Sequence, residues 1–486
     1  MQIKCFLVNK IYHMKIISVV GARPNFMKIA PFIKAIEKYN GSLSLNNRGL
    51  THPDNHKEVP GMKTDSGSSE KNFQSAYSGR KRIEHILCHT GQHYDDRMSK
   101  AFFESLQIPE ADINLGIGSG SHAEQVGNTM IAFEKVLLRE KPDWVVVVGD
   151  VNATLACSVT AKKLNIKVCH IEAGLRSRDM SMPEEINRLV TDRLSDLLLT
   201  PDRISVQNLR EEGVPEEKIR FVGNIMIDTL ETNRENAAKL RIEDIIMDNL
   251  LPDAKYFAES KNKLLDNNNS DKPFAVVTLH RPSNVDKKEV LEPILSFLTD
   301  EVAADMPVIW PVHPRTMKMM QKFDLWEKAL SCKNFILLHP LGYHQMLRLN
   351  MSAAIMLTDS GGLQEECCVL GTPCLTMRLN TERPVTLKEH GGVSVLTGNS
   401  IERIREEYKT VVSNNRMSGA EDSVAGDKAL RNISVGDETE QQNSLAVKDE
   451  IPRDKSEVDE TGRQKRLAVK DEISTEKSEA EAIKPP

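Results

Sequence analysis

Apolar runs of strand length recur along the chain and alternate with stretches whose apolar residues repeat at helical spacing. Strands are predicted at 15–20, 86–89, 111–115, 144–148, 167–171 and 197–200, with a shorter one at 219–222. Helical periodicity follows the first of these at 21–39, and recurs at 123–139, 154–164, after Pro183 and at 204–212. The same grammar returns further on. Strands at 275–279, 308–312, 336–338, 355–358 and 373–377 each hand over to a polar cluster, and 363–371 reads as a helix. Strand, helix, strand in steady alternation is the signature of parallel sheets covered on both faces, so the chain is read as α/β with two such halves. Ligands of these sheets lie beyond the carboxyl ends of the strands, which is where the candidate chemistry is sought.

Three carboxylates fall there in the first half. Asp150 ends the WVVVVGD run, Glu172 follows KVCHI, and Glu184 stands next to Pro183, a favoured first helical residue. Taken singly, each also fits a helix cap or an answer to the helix dipole; their convergence on one sheet edge is what argues for acid/base chemistry. Arg23 and Lys28 sit in and just after the tight turn that opens the first helix, where backbone N–H groups favour an anion such as phosphate. His93, in TGQHYDD, is a further candidate for substrate contact. In the second half, Ser360-Gly361-Gly362 between a strand and a helix offers unobstructed amides suited to a diphosphate, and Glu366 one turn on suits the hydroxyls of a ribose. His280 ends another strand and is either a site residue or a satisfied structural histidine. The Gly-rich GIGSGSHAEQ has Ser121 where a dinucleotide fingerprint needs its last Gly, so no nicotinamide cofactor is expected.

Composition narrows the picture. A length of 486 residues allows two or three domains, and a formal net charge of −6 gives no reason to expect nucleic acid or an anionic membrane as partner. No apolar run has the length of a membrane span, and the opening 13 residues lack the pattern of a signal peptide, so a cytoplasmic protein is expected. The eight cysteines form no CxxC pair, and buried reduced thiols are expected at Cys157, Cys169 and Cys374, without zinc or disulfides. Two segments break the pattern. Residues 40–82 are rich in Gly, Ser and Asn and read as a mobile insertion, and residues 233–272 read as charged and irregular, containing the route between domains. Residues 414–486 contain a duplication, LAVKDEIPRDKSE at Leu445 and LAVKDEISTEKSE at Leu467, with the composition of a disordered tail.

The motifs GARPNFMKIAP, HTGQHYD, GDVNATLA, HIEAGLRS, MPEEINR, GN-x-x-ID, LHRPSNVD, HPRT, LTDSGGLQEE and NTERP stand in the order seen in the non-hydrolysing UDP-N-acetylglucosamine 2-epimerases, which the chain resembles from about residue 14 to 398. The resemblance implies a GT-B fold of two Rossmann-like domains, here 14–225 and 226–413, facing a central cleft. It also implies a cytoplasmic homodimer that interconverts UDP-N-acetylglucosamine and UDP-N-acetylmannosamine through a glucal-type intermediate, with no cofactor or metal. Carried over position by position, it assigns acid/base and catalytic roles to Asp150, Glu172, Glu184 and His280. It assigns nucleotide contacts to Arg23, Lys28, Ser360, Gly361, Gly362, Glu366 and Arg383, the last having no other signal in the sequence. The chain departs from the family at Val151 and Val385, where Thr and Glu are usual, and in its end, where residues 425–433 only faintly echo the closing helix. An epimerase of a modified UDP-sugar such as UDP-2,3-diacetamido-glucuronic acid, a glycosyltransferase on the same fold, and a non-catalytic UDP-sugar binder are the competing readings.

Overall fold

The computed structural model describes residues 13–21, 23–48, 82–91, 109–253 and 273–417; His93, the bulk of the polar insertion and the repeated tail lie outside these, as does the side chain of Arg23. Among the described residues, thirteen strands form two wholly parallel sheets. The first holds β1 (His13–Val20), β2 (Arg82–His89), β3 (Ile113–Asn114), β4 (Trp144–Val148), β5 (Lys167–Ile171), β6 (Leu197–Thr200) and β7 (Ile219–Phe221) in the order β3-β2-β1-β4-β5-β6-β7. The second holds β8 (Ala275–Thr278), β9 (Val308–Pro311), β10 (Phe335–Leu338), β11 (Ile355–Thr358), β12 (Cys374–Thr376) and β13 (Ser394–Leu396) in the order β10-β9-β8-β11-β12-β13. Both sheets lie within one compact unit.

The unbroken apolar strands follow from burial on both faces. In β4, Val146 and Val148 pack with Phe26 and Ile29, while Val145 and Val147 face Phe133, Leu137 and Cys157. In β8 the division repeats, with Ala275 and Val277 packing with Leu291, Ile294 and Leu295, and Val276 with Ile309, Ile336 and Met356. Cys157, Cys169 and Cys374 are buried free thiols, and burial pushes Cys169 up to about 12. No helix among the described residues is long and apolar enough to cross a membrane.

Strand order fixes where a ligand goes. Each sheet starts at an inner strand and winds both ways, so the first reverses between β1 and β4 and the second between β8 and β11. Such reversal points splay the adjoining loops and open a crevice. Gly149-Asp150 stands at the first, and His280 with Ser360-Gly361-Gly362 at the second.

Two sequence expectations are corrected. The first helix, Arg23–Arg48, passes through Asn40, where the apolar rhythm fades. There the Asn40 side chain is turned to structural use, donating to the Ile83 carbonyl at 2.8 Å and accepting from its N–H at 2.9 Å, which ties the helix to β2. The stretch read as irregular from 233 contains helices Ile225–Ala238 and Ile242–Asn249. Their charged faces hide a short apolar seam: Leu230 and Ala237 join the core of the first sheet, and Ile245 and Ile246 that of the second. The helix Ile401–Met417, which no sequence pattern announced, packs Ile404, Tyr408 and Val411 onto the second core.

Candidate active site

A cleft of about 510 Å³ opens between the two sheet edges, lined on one side by Lys28, Asp150, Glu184 and Arg188, and on the other by His280, Arg281, Ser360, Gly361, Gly362, Glu366 and Arg383. Residues read separately along the sequence are thus brought to one space. Glu172 stands behind its wall, buried, ion-paired with Lys28 and 4.0 Å from Arg383 Nη2. Its Oε1 has no hydrogen-bond partner among the described residues, and it also lines a second, smaller pocket beside Asp228.

The carboxylate-bearing turns are tightly specified. Gly149 has φ +66, and a Cβ there would sit 3.3 Å from Lys28 Nζ, so only glycine both permits the turn and leaves room for the cation. Glu172 itself holds φ +69, a left-handed conformation costly for a residue with a Cβ. Asp150 keeps a quarter of its side chain exposed, and its Oδ2 accepts from Arg188 Nη2 at 2.9 Å and Nε at 3.1 Å. Burial pushes its carboxyl up, but Arg188 and Lys28 outweigh this and hold it below the usual range, so it stands as a carboxylate.

Across the cleft, Ser360 caps the helix Gly361–Leu370, whose first-turn amides have no acceptor within the helix. A Cβ on Gly361 would fall 2.9 Å from Glu382 Oε1 and 3.1 Å from Arg383 Nη1, so the guanidinium ends press against bare backbone. Arg383 is buried among carboxylates, pairing with Glu382 and lying 2.7 Å from Glu365 Oε1. Burial and the charge of Glu365 push the Glu366 carboxyl up to about 8. His280 is set by Asp359, whose carboxylate meets its Nδ1 at 2.8 Å and accepts the backbone N–H of His280 and Arg281 at 3.0 and 2.8 Å.

Arg188, Glu365, Glu382, Arg281 and Asp359 complete the site without having been singled out in the sequence. Arg188 had a signal: four residues after Glu184 on one helix, it shares that residue's face. Glu382 stands in the NTERP motif, next to Arg383 and four residues after Arg378, and pairs with both. Among the described residues no group of three or more His, Cys, Asp or Glu side chains is arranged to hold a metal ion.

Comparison with known proteins gives the family and the fold. The profile of the UDP-N-acetylglucosamine 2-epimerase family matches residues 75–434. A UDP-N-acetylglucosamine 2-epimerase of Methanocaldococcus jannaschii is 36% identical over 426 residues, covering 87% of this chain and 100% of that protein. A UDP-2,3-diacetamido-2,3-dideoxy-D-glucuronate 2-epimerase of Pseudomonas aeruginosa is 33% identical, covering 82% and 92%. The crystal structure of the M. jannaschii enzyme in complex with UDP-GlcNAc and UDP superposes with a TM-score of 0.64, covering 86% of this chain and 99% of that one.

Proposed function

Since this chain belongs to the UDP-N-acetylglucosamine 2-epimerase family, we propose that it interconverts UDP-N-acetylglucosamine and UDP-N-acetylmannosamine. The observation that carries the reading is the single cleft in which Asp150 and Glu184 of one sheet edge face the Ser360-Gly361-Gly362 turn of the other. The diphosphate lies over the amides of that turn, the ribose meets Glu366, and the sugar reaches across to the carboxylates. The C1–oxygen bond breaks with its electron pair leaving on UDP. A carboxylate takes the C2 proton, and the C2–H pair becomes the C1–C2 double bond. Re-addition of UDP at C1, with a proton delivered to the other face of C2, gives the epimer. Asp150, held ionised by Arg188 and Lys28, serves as base; Glu184 supplies the second acid/base function, Glu172 holds Lys28 from behind the wall, and His280 faces the departing phosphate.

Charge pairing supports a neutral sugar over a uronate. Lys28, Arg188 and Arg383 are each ion-paired with protein carboxylates. Arg281 has no carboxylate in ion-pair contact among the described residues, and the growing charge on the diphosphate claims it. Among the described residues no further lysine or arginine lines the cleft to meet a sugar carboxylate.

Incubation in heavy water tests the reading: UDP-N-acetylglucosamine should gain deuterium at C2 as UDP-N-acetylmannosamine forms. Binding without exchange would leave only a nucleotide-sugar binder, and exchange confined to the diacetamido-uronate would reassign the substrate.

Glu366 sets a pH dependence on binding. A carboxyl near 8 is largely neutral at pH 6 and must ionise to accept two ribose hydroxyls, so affinity tightens as pH rises and levels off above 8. Below that point the slope approaches roughly tenfold per pH unit. Calorimetry with UDP-N-acetylglucosamine in an Asp150→Asn background, from pH 6 to 8.5, reads this directly, and Glu366→Gln should bind weakly with a flat profile. A flat profile in the presence of Glu366 would remove it from the ribose.

A further inference from the structure

Behind the cleft lies a polar unit that the proposed chemistry does not use. His170 of β5 is 0% exposed and Asp192, on the helix Pro183–Leu194, 2%, and neither lines the cleft. His170 Nε2 lies 2.8 Å from the carbonyl oxygen of Gly149, and Nδ1 lies 2.6 Å from Asp192 Oδ1. The other carboxylate oxygen, Oδ2, accepts from the Gly174 N–H at 3.0 Å and from Arg176 Nη1 at 2.7 Å. Arg176 in turn is held by Glu212 through Nε and Nη2, both at 2.7 Å.

These contacts span two turns at once. Gly149 immediately precedes Asp150, and Gly174 ends the turn in which Glu172 holds its left-handed backbone. We infer that His170 and Asp192 are positioning residues, a buried clamp that fixes the Asp150 turn and the Glu172 turn relative to each other. This rests on the proposed epimerase reading, in which Asp150 acts on the sugar ring and Glu172 holds Lys28 at the same cleft. A carbonyl oxygen and an ionised carboxylate can only accept, so both ring nitrogens of His170 donate and the ring carries both its protons. Burial pushes the Asp192 carboxyl up, but His170 and Arg176 outweigh it and hold it below the usual range, as an ionised partner requires.

The diphosphate turn Ser360-Gly361-Gly362 and the ribose contact Glu366 of the proposed reading sit on the other sheet edge, so loss of the clamp separates turnover from affinity. His170→Gln has a single donor nitrogen, so it can match one of the two ring positions and turns its amide oxygen toward the other acceptor. Its kcat for epimerisation should fall about 100-fold, the cost of misplacing a reacting group by about 1 Å, while KM and the Kd for UDP stay unchanged. Asp192→Asn, which gives up the acceptor facing Gly174 or the one facing His170, should show the same split. In His170→Gly, added imidazole should restore turnover saturably. Thiazole, a ring of similar size without an N–H, should not. A folded His170→Gln with wild-type kcat, a matching loss of UDP affinity, or equal rescue by thiazole would overturn the clamp. Nitrogen chemical shifts of His170 in the wild-type protein need neither a variant nor activity: both ring nitrogens should be protonated, and a neutral tautomer refutes the double contact. A wild-type protein that fails to epimerise its substrate while showing a doubly protonated His170 would overturn the proposed function and leave the clamp's geometry standing.

Discussion

Asp150→Asn should lower epimerisation by at least about three orders of magnitude, at the upper part of the range for loss of a positioned general base, while UDP binds as before. The substitution is nearly isosteric, and its Oδ1 can still accept from Arg188, which also keeps Glu185 as a partner. The fold is therefore retained and the loss falls on chemistry. Because the Asp150 carboxyl is held below its usual range, its contribution to stability is present above the unfolded value of about 3.9 and is lost only as pH falls through the lower folded value. At neutral pH the variant gives up little beyond that electrostatic increment. Kinetics of C2 deuterium exchange alongside UDP titration check the prediction, and near-normal exchange by the variant would take Asp150 out of the mechanism.

Arg383→Met should be the most destabilising single change in the site. Arg383 is buried, and its guanidinium faces Glu365, Glu382 and Glu172. Removing one member of such a buried cluster strands its partners, at about 3–5 kcal/mol. The sign of the pH dependence identifies the cause. Burial alone would raise Glu382, yet Arg383 and Arg378 hold it far below the ordinary range, so in the wild type it contributes stability that persists above the unfolded carboxylate value and is lost toward acid. Burial already pushes the Glu365 carboxyl above its usual range, and without Arg383 it loses the charge that opposes this, so stability falls more steeply as pH rises past about 4.3. The gap in Tm between wild type and variant should widen from pH 5 to pH 8. UDP binding should be lost as well, since Arg383 packs against the Gly361 backbone of the turn proposed to hold the diphosphate. Equal melting of the two proteins at pH 8 would contradict the account of this cluster.

How legible the site was depends on the kind of signal each residue leaves. Asp150 and Ser360 end apolar runs, and chain order alone places them at the carboxyl edge of a parallel sheet. Arg383 follows no strand directly and entered only through a family resemblance. Arg188 shares a helical face with Glu184 and was open to discovery by spacing. Asn40 and Ile245 show the reverse case, in which polar composition masks regular structure. A helix needs only a narrow apolar seam when tertiary contacts supply the rest: in 242–249, Ile242, Ile245 and Ile246 stand at helical spacing, but over 8 residues that is too short a run to stand out among its charges.

The amino-acid order by itself determined that this protein is built of parallel α/β halves, because strands buried on both faces must be written as continuous apolar runs, and such sheets expose ligand-binding loops at one edge. It also determined which carboxylates and which Gly-rich turn stand at those edges. Only the tertiary structure decided which charges neutralise one another. Lys28 meets Glu172, Arg188 meets Asp150, and His170 joins Asp192 to the Gly149 carbonyl across 144, 38, and 22 and 21 residues. Ion pairs and hydrogen bonds at such separations depend on distances of a few ångströms, which no local pattern encodes, and they set whether each buried group is ionised and where it points.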